Sequence, residues 1–342
     1  MVKERILWLD NLKLFAIYLV VLGHCLLAFD YPVYQNKYQN SLCEFIYSFH
    51  MPLFMLISGY FSNGLLLKRI NIKKRFVQLI LPCLSFTIIC YSMGIYNQNF
   101  WYLKSLFLCY LIYSLMCFIP VNWLVRHIIV AIGLLIFSPL LPMIKNIDVC
   151  KIDFMLPFFS IGLLLAQYKL FVLSHLRFIT IITFICFVCL LQFWDWHHIW
   201  YFSRPTWIDY RLLIRNYALH CDSLSIYSYF LRFLVGLFGS IFLLSLFGWL
   251  ENNWSIFKKI CHTFGVYGAY SLHIYLLQSI LFSLLEEYIH LKISHICLYT
   301  YLIAPLMAII ITAFCVVIAF WIKKNPLVDF ILFGNYTYIQ KK

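Results

Sequence analysis

The chain has 342 residues, of which 64% are hydrophobic and 11% are charged, and its formal net charge at pH 7 is +13. Soluble domains carry about 25% charged residues, so this composition excludes a water-soluble globular protein and indicates an integral membrane protein. The positive charge would suggest nucleic-acid binding in a soluble protein, but here it is interpreted as Lys- and Arg-rich cytoplasmic loops, and no nucleic-acid partner is expected.

Hydropathy in windows of about 19 residues predicts about ten transmembrane helices. The predicted fold class is therefore all-α, a polytopic membrane protein whose whole chain forms one membrane-embedded domain. The ten helices are predicted at residues 6–29, 44–62, 76–95, 100–119, 124–142, 153–168, 175–194, 224–249, 266–286 and 296–322. The sixth of these helices is short and contains Pro157.

The first predicted helix carries three ionisable side chains, Asp10, Lys13 and His24, in an otherwise apolar run. Lys13 and His24 are eleven positions apart, so on a helix they lie within about 20° of one stripe and about 16 Å apart along its axis. Asp10 is three positions before Lys13 and can pair with it. Ionisable side chains inside a membrane are costly and indicate a functional site. The structural alternative is an interfacial Asp10–Lys13 pair and a packed, hydrogen-bonded His24.

The connection after the second predicted helix is strongly basic and orients the chain. It contains Lys68, Arg69, Lys73, Lys74 and Arg75. Positively charged loops stay in the cytoplasm, so we expect this loop and both termini to be cytoplasmic in a multi-pass cell-membrane protein. Topology alone explains most of these charges, and the remainder could bind an anionic ligand.

The longest predicted outer connection, residues 195–223, is rich in Trp, Tyr and Arg. Such side chains could bind a sugar or a lipid headgroup, but an aromatic belt on the membrane surface is the favoured interpretation. Asp195, His197 and His198 also lie here. Adjacent histidines point to different faces of a helix, and the thirteen cysteines show no paired spacing, so no metal site is predicted.

Five sequence motifs occur in the order found in the integral-membrane acyltransferase-3 family, and they extend from the first predicted helix towards the last. Each motif alone is weak, but the ordered set is specific, so the chain resembles that family. The motifs are Lys-x10-His at 13–24, HMPLFMLISGYF at 50–61, the basic KKR at 73–75 followed by Pro82, WYL at 101–103 and SLHIYLLQ at 271–278.

The resemblance implies an acyltransferase of the cell inner membrane that modifies polysaccharides by O-acetylation. The acyl donor would be cytoplasmic acetyl-CoA or another acyl-CoA, the acceptor a hydroxyl of a surface carbohydrate or glycolipid, and no cofactor would be permanently bound. His24 would be the general base, because imidazole titrates near neutral pH. The implied site residues are Asp10, Lys13 and His24 for catalysis, Arg69, Lys74, Arg75 and Lys104 for acyl-CoA, and His50, Ser58, Trp101, Tyr102, Tyr275 and Gln278 for substrate binding.

Lys104 lies just past the WYL motif on the fourth predicted helix. An intramembrane cation is expected to face a site or a carboxylate rather than lipid. Tyr275 and Gln278 are three positions apart, so they share a helix face that we expect to turn towards the first helix.

Two positions depart from the family pattern. Gln278 stands where the family usually has a histidine, and glutamine does not titrate near neutrality; His273 is five positions away and off that face. Lys13 replaces the usual arginine and lacks its bidentate fork. Two alternative functions stay open, and these departures support the second of them. One is a polytopic transporter or flippase, which the absence of repeat symmetry disfavours. The other is a non-catalytic member of the same scaffold.

Overall fold

The computed structural model describes residues 6–28, 37–66, 71–96, 100–137, 151–199, 223–288 and 295–335. Every regular element in these ranges is helical, which confirms the all-α prediction. Each of the ten predicted spans overlaps a helix in the described residues. They are α1 (Leu7–Leu27), α2 (Ser41–Leu66), α3 (Ile72–Ser92), α4 (Trp101–Met116), α5 (Trp123–Phe137), α6 (Ile152–Gln167), α7 (Leu176–Leu191), α8 (Ser223–Asn253), α9 (Ser271–Tyr288) and α10 (Ala304–Lys323).

The ten helices fall into two length classes. In the described part of the chain, six spans are long and apolar enough to cross a membrane, and they cover all or most of α1, α2, α3, α8, α9 and α10. The other four, α4 to α7, have 15 or 16 residues. Sixteen residues rise about 24 Å, which is roughly one turn short of a 30 Å hydrocarbon core. The protein is a multi-pass membrane protein.

Helix α1 lies at the centre of the bundle. It packs against α2, α8, α9 and α10. Its side chains are buried around most of its circumference, including Leu9, Leu12, Ala16 and Val21, each with no exposed area. A helix that is apolar on all sides belongs in a protein interior. The polar stripe of α1 is therefore enclosed by neighbouring helices.

Helices α2 and α6 approach each other closely through one glycine on each side. A Cβ atom added to Gly59 would overlap the carbonyl of Phe159, and one added to Gly162 would overlap the carbonyl of Leu56. Small residues let helix backbones approach in membranes. Gly59 and Gly162 thus allow the two backbones to touch, and this contact fixes α2, which carries His50.

We expect Gly162→Val to destabilise the bundle strongly, because the side chain would have to push the α2 backbone away. Overpacking costs about 1–3 kcal/mol or more. The matched control is Gly133→Val on α5, where an added Cβ meets nothing within 4 Å. Monodisperse yield and unfolding temperature of the purified variants measure the difference. Equal stability of the two variants would contradict this packing.

Shorter helices complete the described chain. Ser255–Phe264 and Gly265–Tyr270 connect α8 to α9, and Tyr299–Ile303 forms a π-helical turn before α10. Pro326–Phe333 follows α10 and packs on α3. The outer connection predicted at 195–223 lies outside the described residues from 200 to 222. Its start forms a 3-10 turn, Trp196–His198.

Candidate functional site

Two adjacent cavities lie along the polar face of α1. The first, here called the histidine cavity, has a volume of about 110 Å³ and is lined by His24, His50, Trp101, Arg232 and Gln278 among others. The second, called the lysine cavity, has a volume of about 150 Å³. Its polar lining comes from Lys13, Ser58, Tyr102, Ser271 and Tyr275. Val20, Met51 and Tyr275 line both cavities, so the two adjoin.

The predicted stripe on α1 is present, and its two ends face different cavities. His24 faces the histidine cavity and Lys13 faces the lysine cavity. Lys13 Nζ lies 3.3 Å from Asp10 Oδ1 and 3.6 Å from the centre of the Phe61 ring. Asp10 is buried and does not line either cavity. The ion pair with Lys13 thus connects Asp10 to the lining of the lysine cavity.

His24 is oriented by stacking on an aromatic ring. Its ring centre lies 5.4 Å from that of Phe282 on α9, with an interplanar angle of 28°. Hydrogen bonds to the His24 ring nitrogens are absent from the part of the chain that the structure describes. The ring is thus held by packing, and its nitrogens can interact with a group bound in the cavity.

His50 is the second histidine of the same cavity, and its tautomer follows from its hydrogen bond. The Nδ1 atom lies 2.7 Å from the carbonyl oxygen of Ile46. A carbonyl only accepts, so Nδ1 carries the proton and donates. In the neutral ring Nε2 is then unprotonated. The ring also packs edge-on against Tyr47, with centroids 4.7 Å apart.

The WYL motif at the start of α4 contributes to both cavities. Trp101 lines the histidine cavity and Tyr102 the lysine cavity. The Tyr102 hydroxyl donates to the Phe54 carbonyl at 3.2 Å and lies 2.9 Å from Ser58 Oγ. These contacts fix the start of α4 on α2. Sequence reasoning placed Ser58, Trp101 and Tyr102 together at the site, and the structure does bring them together.

Tyr275 and Gln278 face α1, as their spacing predicts. Tyr275 packs edge-on against Tyr102 with centroids 5.9 Å apart. Gln278 is 1% exposed, and its Nε2 donates to the Tyr275 carbonyl over 3.5 Å. Its Oε1 is buried and has no hydrogen-bond partner among the described residues. A buried amide oxygen without a donor is costly, so this side of the cavity is suited to a ligand that donates a hydrogen bond.

His273 lies outside both cavities. Its Nε2 is 3.3 Å from Asp329 Oδ1, and Asn335 Nδ2 donates to Asp329 Oδ2 at 2.6 Å. Burial alone would raise the pKa of Asp329, but the hydrogen bonds from His273 and Asn335 lower it below its ordinary value. His273 thus anchors the C-terminal helix Pro326–Phe333 and does not take the place of a histidine at 278.

The residues expected to bind acyl-CoA do not converge on one site in the described part of the chain. Arg69 lies outside the described residues. Arg75 stacks over the Tyr110 ring at 4.3 Å and donates to Gln78 Oε1 at 3.1 Å, and Lys74 sits in the first turn of α3. Neither lines the histidine cavity or the lysine cavity. Lys104 is on the exposed face of α4 and lines neither cavity, because the opposite face of α4 packs inward, and its role in binding acyl-CoA stays a prediction.

Arg232 on α8 is the main residue that the sequence analysis missed. It lines the histidine cavity, is 3% exposed, and its Nε donates to the His198 carbonyl at 2.8 Å. The signal was available, since an arginine within an apolar helix is a functional-site hypothesis. Ser48 and Ser279 also line this cavity and carried no signal, because serine is common in membrane helices.

The Asp and His side chains of the outer connection that could bind a metal form hydrogen bonds with other residues of the protein instead. Asp195 Oδ1 accepts a hydrogen bond from the His197 backbone at 2.9 Å. His198 Nδ1 lies 2.8 Å from Ser228 Oγ, and burial lowers the pKa of His198 below its ordinary value. The described residues include no group of three or more His, Cys, Asp or Glu that could hold a metal ion.

The helical bundle, with two adjoining cavities along the ionisable side chains of its first helix, defines a multi-pass membrane protein with a candidate site inside the bundle. Residues 6–324 match the family model described as "Acyltransferase domain", acyltransferase 3. The chain belongs to this family.

Two relatives share the name "Nodulation protein NolL". The one from Sinorhizobium fredii (strain NBRC 101917 / NGR234) is 30% identical over 187 residues, 48% of this chain and 50% of the relative. The one from Mesorhizobium japonicum (strain LMG 29417 / CECT 9101 / MAFF 303099) is 40% identical over 88 residues, 24% of this chain and 23% of the relative. The chain thus spans half or less of the length of these relatives. No solved structure shows a significant match.

Proposed function

We propose that the protein transfers an acyl group, most simply acetyl, from cytoplasmic acyl-CoA to a hydroxyl of a surface carbohydrate or glycolipid. The observation that carries this proposal is the position of His24 in an enclosed polar cavity that adjoins the cavity of Lys13. Family membership supports the reaction class. The donor, the acceptor and the orientation in the membrane are part of the proposal.

The chemistry requires a base and His24 supplies it. A hydroxyl is a poor nucleophile, and removal of its proton in the transition state accelerates attack. A neutral imidazole can accept that proton near physiological pH. His24 presents its ring nitrogens to the cavity without a carboxylate partner among the described residues, so Phe282 stacking takes the orienting role.

The two cavities give the substrates separate approaches. Lys13 and His24 are about 16 Å apart along α1, with Lys13 nearer the proposed cytoplasmic end. Acyl-CoA would enter past the basic start of α3, where Lys74 and Arg75 lie, and its thioester arm would run through the lysine cavity. The acceptor hydroxyl would enter the histidine cavity from the outer side.

Purified protein in proteoliposomes with labelled acetyl-CoA tests the proposal. An acyltransferase is supported if CoA is released and the label appears in carbohydrate or glycolipid taken from cells that express the protein. Vectorial movement of a glycan without CoA release supports a transporter or flippase. A folded protein that shows neither activity would support the non-catalytic alternative, in which Lys13 and Gln278 reflect the loss of catalysis.

Gln278→His tests whether the α9 face takes part in transfer. Gln278 lines the histidine cavity, so an imidazole there adds a group that titrates between about pH 5 and 8. Its protonation would place a further positive charge beside His24 and Arg232, so we expect transfer to fall on the acidic side of the pH–rate profile. Gln278→Met, similar in shape and without a titrating group, is the control. An unchanged profile with intact activity in Gln278→His would remove Gln278 from the site.

A further inference from the structure

An apolar groove lies on the side of α1 that faces away from the histidine and lysine cavities. It has a volume of about 600 Å³, within the range of about 300–1,000 Å³ that is usual for ligand pockets. Leu14, Phe15 and Tyr18 of α1 line it and are only partly buried. On a helix, the middle of this stripe lies about 140° from the stripe of Lys13 and His24. The groove is therefore separate from the candidate catalytic site.

The groove has nearly the length of the hydrocarbon part of one membrane leaflet. Helix α10 lines it from Ile309 to Val317, which are eight positions or about 12 Å apart along the helix. A bilayer core is about 30 Å thick, so one leaflet accounts for about 15 Å of it. Aliphatic and aromatic side chains form most of the wall. Length and lining together fit a fatty-acyl chain.

At one end the groove is lined by the short helix Ser255–Phe264, here called the rim helix. Its groove-lining side chains are Phe257, Ile260 and Phe264. The rim helix is fixed on the start of α1, because Asn11 Nδ2 donates to the Cys261 carbonyl at 2.8 Å. Trp254, just before the rim helix, is more than half exposed. Tryptophan is enriched at the level of the lipid headgroups, so this end of the groove lies near the membrane surface.

The rim helix carries positive charge outside its groove-lining stripe. Lys258 and Lys259 are exposed, and neither forms an ion pair with a described residue. Lysine side chains on a helix that lies in the membrane surface extend into the headgroup layer, where they attract anionic headgroups. The end of the groove at which a lipid headgroup would lie is thus the end that carries two unpaired positive charges.

We infer that the groove is a binding site for one glycerophospholipid with an anionic headgroup. An acyl chain lies between α1 and α10, and the phosphate lies at the rim helix beside Lys258 and Lys259. The bound chain covers the face of α1 that the described neighbouring helices leave partly open, and so supports the helix that carries Lys13 and His24. This binding does not depend on the proposed acyl transfer.

A matched pair of lipids tests the inference on the full-length, delipidated protein in detergent. Dioleoyl phosphatidylglycerol is anionic, and dioleoyl phosphatidylcholine has the same chains without net charge. One lysine near an anionic headgroup contributes about fivefold in affinity, so we expect the two lysines to make phosphatidylglycerol bind at least tenfold more tightly and to raise the unfolding temperature more. Mass spectrometry of the intact complex gives the affinities and the number of lipids bound. Equal affinities would overturn the inference.

Phosphatidylglycerol with a photoreactive diazirine in one acyl chain locates the bound lipid on the wild-type protein. We expect labelling to concentrate on residues 11–18 and 309–317, which contain the groove-lining side chains of α1 and α10. Equal labelling of the exposed apolar faces of α3 and α7 would show ordinary bilayer lipid and overturn the site. Dimers in the intact-mass spectrum together with an unlabelled groove would assign the groove to a second copy of the chain and overturn it as well.

Ala313→Trp places a large side chain in the groove, because Ala313 on α10 lines it. We expect this variant to bind phosphatidylglycerol at least tenfold more weakly. The control is Ala131→Trp on α5, where the residue is exposed and lines neither the groove nor the two cavities, and it should bind within about threefold of wild type. Equal binding by the two variants would overturn the inference. If Ala313→Trp does not fold, labelling of the wild-type protein decides.

Substitution of the two rim-helix lysines separates specific recognition from net charge. We expect Lys258→Gln/Lys259→Gln to abolish the preference for phosphatidylglycerol and to leave the affinity for phosphatidylcholine unchanged. The control, Lys73→Gln/Lys169→Gln, removes the same charge at exposed lysines away from the groove and should keep the preference. Equal loss in both double variants would show attraction to net charge alone and overturn the site. These measurements follow binding only, so absence of CoA release would overturn the proposed function and leave the lipid site standing.

Discussion

We expect His24→Ala to lower acyl transfer by at least ~10²-fold at normal expression, because general-base catalysis contributes about 10²–10⁴-fold. The residue lies in the histidine cavity with its ring stacked on Phe282. Replacing it with alanine removes the proposed base and leaves the neighbouring lysine cavity in place. The measurement is the initial rate of label transfer from acetyl-CoA in proteoliposomes.

The control for this prediction is another buried histidine on a membrane helix. His127 on α5 lies 2.7 Å from the Tyr113 hydroxyl and lines neither cavity. His127→Gln keeps a hydrogen-bonding side chain and should retain transfer within about threefold, or ~0.7 kcal/mol in activation free energy. Near-wild-type transfer by His24→Ala would remove His24 from its proposed role.

His50 is the other candidate for the general base, and its hydrogen bond allows the two histidines to be distinguished by substitution. Its Nε2 is unprotonated in the neutral ring because Nδ1 donates to Ile46. His50→Asn keeps a donor near the Nδ1 position and removes Nε2. If His24 is the base, this variant should lose less activity than His24→Ala and keep the shape of the pH–rate profile. The reverse order of effects would assign the base to His50.

The sequence predicts those parts of the site whose residues lie on the same helix. The Asp10–Lys13 pair, the stripe from Lys13 to His24 and the shared face of Tyr275 and Gln278 follow from helical spacing alone. The ten apolar spans follow from hydropathy in the same way. These features depend on local geometry that a membrane enforces, since backbone hydrogen bonds must be satisfied within each helix.

The parts that escaped prediction depend on how helices pack. Lys104 turns outward because the opposite face of α4 packs against its neighbours, as the buried Leu103 and Leu106 show. Arg232 and His24 line the same cavity because α8 and α1 pack together. The His50 tautomer requires atomic positions that spacing does not provide. An arginine within a membrane helix indicates a functional site, so the sequence alone could have identified Arg232 as a candidate.

The last prediction concerns the role of Lys13 in holding the acyl donor. Lys13 lines the lysine cavity, between the basic start of α3 and the histidine cavity in the proposed path. We expect Lys13→Met to raise the KM for acetyl-CoA at least tenfold, because a hydrogen bond between a charged group and its ligand contributes about 1.5–3 kcal/mol. Lys13→Arg restores the residue usual in the family and should keep or lower the KM, since guanidinium binds phosphate or carboxylate in a bidentate manner.

Lys13→Met alone also leaves the buried Asp10 carboxylate without its 3.3 Å partner, which destabilises the protein whether or not Lys13 binds the donor. The double variant Asp10→Asn/Lys13→Met separates the two effects. It removes both charges, so we expect the unfolding temperature to recover towards the wild-type value while the KM stays high. Recovery of the KM together with stability would show that Lys13 only neutralises Asp10, and the acyl donor would then have to be held by residues outside the lysine cavity.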